Sequence, residues 1–349
     1  MLWRCFKLKK IVVIIIIAML IIITVNFPLF ASSQPIRVAV SLGVFVPVVK
    51  DIGGAYVEVF SIVPPGVEPH EFSLSPGVID NVSRADLVII DGHIEWENEL
   101  LNVISQRKNK PIDSFSLNFI NYSSNMTILS MPNVSEISGK NYHGYWLLPD
   151  NMKIIAQLIY ERLVSIDPAH SDYYRSNLQI FFDRISFLEN RLSNVKKLLN
   201  GKPVVLGFLE EDYIAYAMGL KVVAVLSAGE SPTANPNALN LAYNVLKNEG
   251  GIIMVSDVAS EMPLYNSATQ LSKQTGAPLV TVITTINEDY VSSMMYNIGK
   301  VEGVISMKND MLASQVQAGV DPMLIFSISL VSVIIIESLY IFRLRRLLK

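Results

Sequence analysis

Cysteine is all but missing from this chain: Cys5 is the only one among 349 residues, so no intrachain disulfide can form. Cys5 precedes the first apolar run instead of following it, which excludes it as the lipid-attachment cysteine after a signal core. Histidine is scarce too, with four in all, and none stands in a His-Glu-x-x-His helix. Nucleophile-elbow and phosphate-cradling glycine patterns are also absent. These absences argue against an enzyme. Basic residues are thin outside the ends. Arg4, Lys7, Lys9 and Lys10 open the chain, and Arg343, Arg345, Arg346 and Lys349 close it. Removing these eight from the 28 Lys and Arg leaves 20 against 31 Asp and Glu, a formal charge of −11 for the remainder. Such acidity argues against a nucleic-acid partner.

Apolar residues, by contrast, make up 51% of the chain, and the length exceeds what one core usually holds, so two lobes are expected. The excess gathers at Ile11 to Val25 and at Met323 to Phe342, the second run having about the ~20 residues that cross a bilayer. Basic flanks place both ends in the cytoplasm and the body outside. The first run reads as a signal cleaved near Ala31, Ser32 and Ser33, with an uncleaved anchor as the alternative. The second reads as the membrane tether, in which Glu337 snorkels to the interface beside Arg343.

Between these ends, β-rich runs occur at Ile36 to Leu42, Val57 to Val63, Asp86 to Asp91, Pro203 to Phe208, Lys221 to Leu226, Ile252 to Ser256 and Leu279 to Thr284. Continuous apolar strands alternating with amphipathic helices predict parallel sheets covered on both faces, an α/β class. One stretch interrupts the alternation. From Asp167 to Leu199, apolar residues at Leu178, Phe181, Ile185, Leu188, Leu192, Val195 and Leu199 recur at steps of three and four. A single long helix with one apolar stripe follows, a spine between two lobes. His170, in its first turn, reads as solvated. Asp113 to Asn141, rich in Ser and Asn, reads as an exposed loop; with Asn81, its Asn121, Asn125 and Asn133 match the N-glycosylation acceptor pattern.

The expected organisation is therefore a signal or anchor over 1–33, a first lobe over 35–166, the spine over 167–199 and a second lobe over 200–305. A linker over 306–321, a transmembrane helix over 322–342 and a basic cytoplasmic tail over 343–349 complete it.

The most informative stretch is Val63-Pro-Pro-Gly-Val-Glu-Pro-His70-Glu-Phe-Ser-Leu-Ser-Pro76, directly after a predicted strand. Two prolines and a glycine stiffen a loop at the carboxyl end of that strand, where α/β sheets bind ligands. An imidazole held there suits zinc and neighbouring metals.

This segment resembles the first metal-ligand loop of the solute-binding proteins that serve zinc and manganese ABC importers. The likeness extends to Ala85-Asp-Leu-Val, Asp91-Gly, Trp146-Leu-x-Pro-x-Asn151, Ile166-Asp-Pro-Ala, Tyr174, Gly201-Lys-Pro-Val-Val, Gly219-Leu, Gly276 and Met295-Tyr-Asn. It implies a metal held in a cleft between two α/β lobes, a membrane permease as partner, and no catalysis. His70 matches the first ligand position. The second family histidine falls on Gly144, so His143, one residue upstream, is taken as the imidazole after a loop shift. The third falls on Phe208, which cannot coordinate; Glu210 or Glu211 is expected to replace it, against the reading of both as helix-opening surface glutamates. The fourth falls near Ile283 or Thr284, and His93 and Asp257 are weighed as stand-ins but read rather as loop residues. The expected ligand set is thus His70, His143, Glu210 and Glu211, holding zinc or manganese as the transported ion. Phe208 motivates the alternative, a surface protein on the same fold that has lost its metal and serves adhesion or assembly.

Overall fold

The computed structural model describes residues 34–134, 138–229 and 231–318. β1 (Ile36–Val40), β2 (Val57–Ser61), β3 (Leu87–Ile90) and β4 (Ser116–Asn118) form the first sheet, in the order β2-β1-β3-β4. Every pairing in it is parallel, with Val38 opposite both Val59 and Leu87. α1 (Val46–Gly53), α2 (Pro76–Ser83) and α3 (Glu95–Lys108) are its crossovers. The central β3 is apolar throughout because both its faces are covered: Leu87, Val88, Ile89 and Ile90 are all fully buried.

Two long helices follow. α4 (Pro149–Ile166) opens with proline at its first turn, where a missing N–H costs nothing, and packs on α5 (Ser171–Leu199), the spine. All seven expected stripe residues of α5, from Leu178 to Leu199, are buried. The second sheet repeats the first, with β5 (Pro203–Leu206), β6 (Lys221–Val225), β7 (Ile252–Ser256) and β8 (Leu279–Val282) in the order β6-β5-β7-β8, again parallel. α6 (Glu211–Ala217), α7 (Pro236–Glu249) and α8 (Pro263–Thr275) connect its strands. α9 (Tyr290–Ala318) then packs against β8 and the spine.

Two sequence readings need correction. The stretch Asp113 to Asn141, expected as an exposed loop, contains β4 and the buried Phe115, Leu117 and Phe119. The alternation around this strand, Phe115, Leu117 and Phe119, is only three apolar positions long and is masked by its Ser- and Asn-rich surroundings. His170 is not solvated: its ring stacks on Tyr56 with centroids 3.7 Å apart, and its Nδ1 lies 2.5 Å from an Asp167 carboxylate oxygen that also accepts from the Tyr174 hydroxyl at 2.8 Å. At the far end, α9 continues helically through Ala318, into the segment expected as a linker. The expected signal or anchor, the transmembrane helix and the basic tail lie outside the described residues, among which no helix is long and apolar enough to cross a membrane.

In each sheet the strand order reverses beside the first strand, and such switch points open a crevice at the carboxyl ends of the strands. The loops after β2 and β3, which bear His70 and His93, leave from those ends.

Candidate metal centre

The loop after β2 carries His70 in a short helical turn, Pro69–Glu71. Proline fixes the turn's first φ, and the Glu68 side chain accepts from the His70 N–H at 3.3 Å. Trp96, on α3, donates its indole N–H to the Pro69 carbonyl at 2.8 Å and packs edge-on to Phe72, so the loop is pinned on both sides of His70.

The loop after β3 is held differently. Glu97, fully buried in the first turn of α3, accepts from the N–H groups of Asp91 at 2.9 Å and Gly92 at 2.7 Å. Ser41 Oγ accepts a further bond from Asp91 N at 3.0 Å. This clamp holds Asp91 wholly buried, and its carboxylate is hydrogen-bonded to His93 Nδ1. His93 Nε2 is buried without a hydrogen-bond partner, and the buried Tyr145 hydroxyl stands beside the Asp91 carboxylate.

His143 sits in the loop before α4. Its N–H donates to the side chain of the buried Asn141 at 3.0 Å. Asn151, on α4, donates to the carbonyls of Tyr145 at 2.8 Å and Thr127 at 2.9 Å and accepts from Thr127 N at 2.8 Å, which explains why the Trp-Leu-x-Pro-x-Asn pattern carries an asparagine.

These three loops bring His70, His93 and His143 together, with one ligand atom from each lying within 4.8 Å of the others. Their ring centroids are 5.1, 5.4 and 5.0 Å apart. Burial pushes the His143 imidazole down to about 4, helped by the neighbouring His93 and His70 rings. It is therefore neutral at physiological pH, the state in which imidazole binds a metal. Burial alone would lower His93 as well, but the hydrogen bond and charge of Asp91, with Glu97 behind it, outweigh that and raise it. Burial raises Glu97, and the adjacent Asp91 carboxylate adds to the effect. A cation between the rings would give His93 Nε2 the partner it lacks and set positive charge against two buried acids.

The second lobe meets this cluster through backbone. Gly144, at φ +89°, lies so close to Glu210 that a Cβ there would fall 2.9 Å from the Glu210 carbonyl oxygen and 3.0 Å from its Cα. A histidine at 144, where the family pattern has one, would collide with that backbone, so the imidazole stands one residue upstream. Asn141 ties the same contact, donating to the Leu209 carbonyl at 3.0 Å while its own carbonyl accepts from the Tyr213 hydroxyl.

Of the expected ligands, His70 and His143 are in the cluster and the two glutamates are not. Glu210 opens α6 at the lobe contact; burial holds its carboxyl above the ordinary range, and Glu68 and Asp257 raise it further. Glu211 points into the second lobe, where one carboxylate oxygen accepts from Phe208 N at 2.6 Å and the other from Ser256 N. Phe208 itself packs among Val205, Val223 and Ala224 in the core. Asp257 accepts from Thr284 N at 3.1 Å and from the Thr285 hydroxyl at 2.7 Å, a bracing contact where the family places its last ligand. His93 was legible only as a histidine at a strand's carboxyl end. The signal that selects it is Asp91, two residues earlier, because on a turn beyond a strand that spacing lets the carboxylate reach the imidazole.

Two parallel-sheet lobes on a helical spine, with metal-ligand side chains gathered at strand ends in the crevice, define a solute-binding protein of the metal-binding kind. Residues 38–303 match the family described as zinc-uptake complex component A, periplasmic (ZnuA), and the chain belongs to that family. It is 23% identical over 291 residues to the manganese ABC transporter substrate-binding lipoprotein PsaA of Streptococcus pneumoniae, a match covering 78% of this chain and 89% of the relative. To the metal ABC transporter substrate-binding lipoprotein ScbA of Streptococcus cristatus it is 23% identical over 287 residues, covering 77% and 89%. Its fold is similar to that of the solute-binding protein FpvC of Pseudomonas aeruginosa in complex with Mn2+, with a TM-score of 0.63 at 19% identity, covering 79% of this chain and all of that one.

Proposed function

We propose that this chain captures a divalent transition metal, zinc or manganese, outside the cell and delivers it to the permease of an ABC importer. The observation that carries this reading is the gathering of three imidazoles within 4.8 Å. The ligand set we assign is His70, His93 and His143, with water completing the shell; Glu211 is assigned a structural role. A transport site must also release its ion, and an incomplete protein shell serves that need. The surface-protein alternative rested on Phe208, and the His93 imidazole supplies the donor that Phe208 removes.

The PsaA and ScbA relatives are lipoproteins by name. Here the only cysteine precedes the first apolar run, so we assign attachment to the apolar run 323–342, with the binding lobes outside. Elemental analysis and calorimetric titration of the purified chain test the function: one zinc or manganese per chain is expected, with binding lost in His70→Ala. A folded chain that takes up neither metal would remove the reading.

A further inference from the structure

The Asp91–His93 pair carries an inference that rests on the metal-capture reading and deepens it. We infer that Asp91 is a positioning residue: it fixes the His93 ring and tautomer so that Nε2 is the atom offered to the metal. Imidazole has two nitrogens, and which one binds a metal is set by what the other one does. Here His93 Nδ1 is committed to the Asp91 carboxylate, so the proton sits on Nδ1 and the lone pair on Nε2. Nε2 is buried and has no hydrogen-bond partner.

Asp91 is itself immobilised. Its N–H is bonded to both Ser41 and Glu97, Gly92 N is bonded to the second Glu97 oxygen, and the side chain is wholly buried. A carboxylate placed at this cost in desolvation is poorly explained by stability alone. Orienting a ligand explains it: a carboxylate behind a metal-bound histidine fixes the ring and raises its basicity, and its loss typically weakens binding about 10–100-fold. Without the second lobe's usual donor, the chain depends on His93, and His93 depends on Asp91.

The test is a double-mutant cycle on the full chain with zinc as the probe, measured by competition against a chromophoric chelator. Asp91→Asn, nearly isosteric, should weaken zinc about 10–100-fold. In a His93→Ala background the same change should have almost no further effect, because a positioning residue has nothing left to position. Nitrogen NMR of isotope-labelled histidine in the metal-free chain, under mildly alkaline conditions, reads the tautomer directly, and four histidines make assignment tractable. The His93 signals, identified by their loss in His93→Ala, should show the proton on Nδ1. A proton on Nε2, or an equal loss from Asp91→Asn with and without His93, would overturn the inference while leaving metal capture intact. Absence of zinc binding by the unaltered chain would overturn both.

Discussion

Glu211→Ala separates a structural glutamate from a ligand, and its size can be worked out from its contacts. Both carboxylate oxygens are committed: Oε2 accepts from Phe208 N at 2.6 Å and Oε1 from Ser256 N, at the ends of β5 and β7. Gly207 leaves room for this, since a Cβ there would sit 3.2 Å from Glu211 Oε1. Alanine strands two buried N–H donors at roughly 1–3 kcal/mol each, about 2–6 kcal/mol in all. Against a typical total of about 5–15 kcal/mol, that is a large fraction of the folded chain's margin. Glu211→Gln, which keeps one acceptor oxygen, should lose about half as much. Urea unfolding of the metal-free chain measures both, and zinc competition on the folded fraction should give an affinity close to that of the unaltered chain. If Glu211→Ala unfolds at the same urea concentration, or if it folds but loses zinc, the assignment is wrong and Glu211 returns to the ligand set.

Other consequences are equally direct. Gly144→Ala forces a side chain into positive φ, costing about 1–2 kcal/mol, and drives its Cβ against the Glu210 backbone; the melting temperature and the zinc affinity should fall together. An all-imidazole donor set favours zinc over manganese, so calorimetry at equal metal concentrations should show strong zinc binding and little heat from manganese; manganese displacing zinc would refute it. Arg184 on the spine pairs with Asp289, 2.5 Å away, and with Asp51, 3.4 Å away. Burial tends to raise Asp289, but the Arg184 hydrogen bond leads the effects that hold it below its ordinary value. Its stabilisation is therefore full above the unfolded aspartate value of about 3.9 and is lost as pH falls through the lower folded value. Arg184→Met should cost about 1 kcal/mol or less at neutral pH, because the pair is partly exposed, and that Asp289-dependent cost should shrink in acid; chemical unfolding across pH checks it.

The fold was legible because its signals are long. Seven of the eight strands are short apolar-rich runs between turn signals, and the spine repeats its stripe over seven positions. β4 escaped because its alternation, Phe115, Leu117 and Phe119, all buried, spans only five residues inside a Ser- and Asn-rich stretch. His170 escaped because its partner, Tyr56, is more than a hundred residues away in sequence. Neither error moved an element of the cleft.

The site was legible in part, and the reason lies in how its departures depend on one another. Read singly, each departure from the family pattern looks like a loss: glycine where a histidine belongs, phenylalanine where a donor belongs, threonine where an aspartate belongs. The structure makes them mutually consistent. Gly144 has no side chain because the lobes touch there through the Glu210 backbone, so the imidazole must come from His143. Phe208 can be apolar because it fills the second lobe's core, with Glu211 capping its N–H. Asp257 and the threonines brace one another. The donors given up by the second lobe are then balanced in the first, where Asp91 and His93 add a buried imidazole behind which a carboxylate stands. A metal held by three nitrogens of one lobe does not need the other lobe as a ligand. On the proposed reading the second lobe serves as a cover, its Glu210 and Leu209 backbone meeting Gly144 and Asn141 of the first.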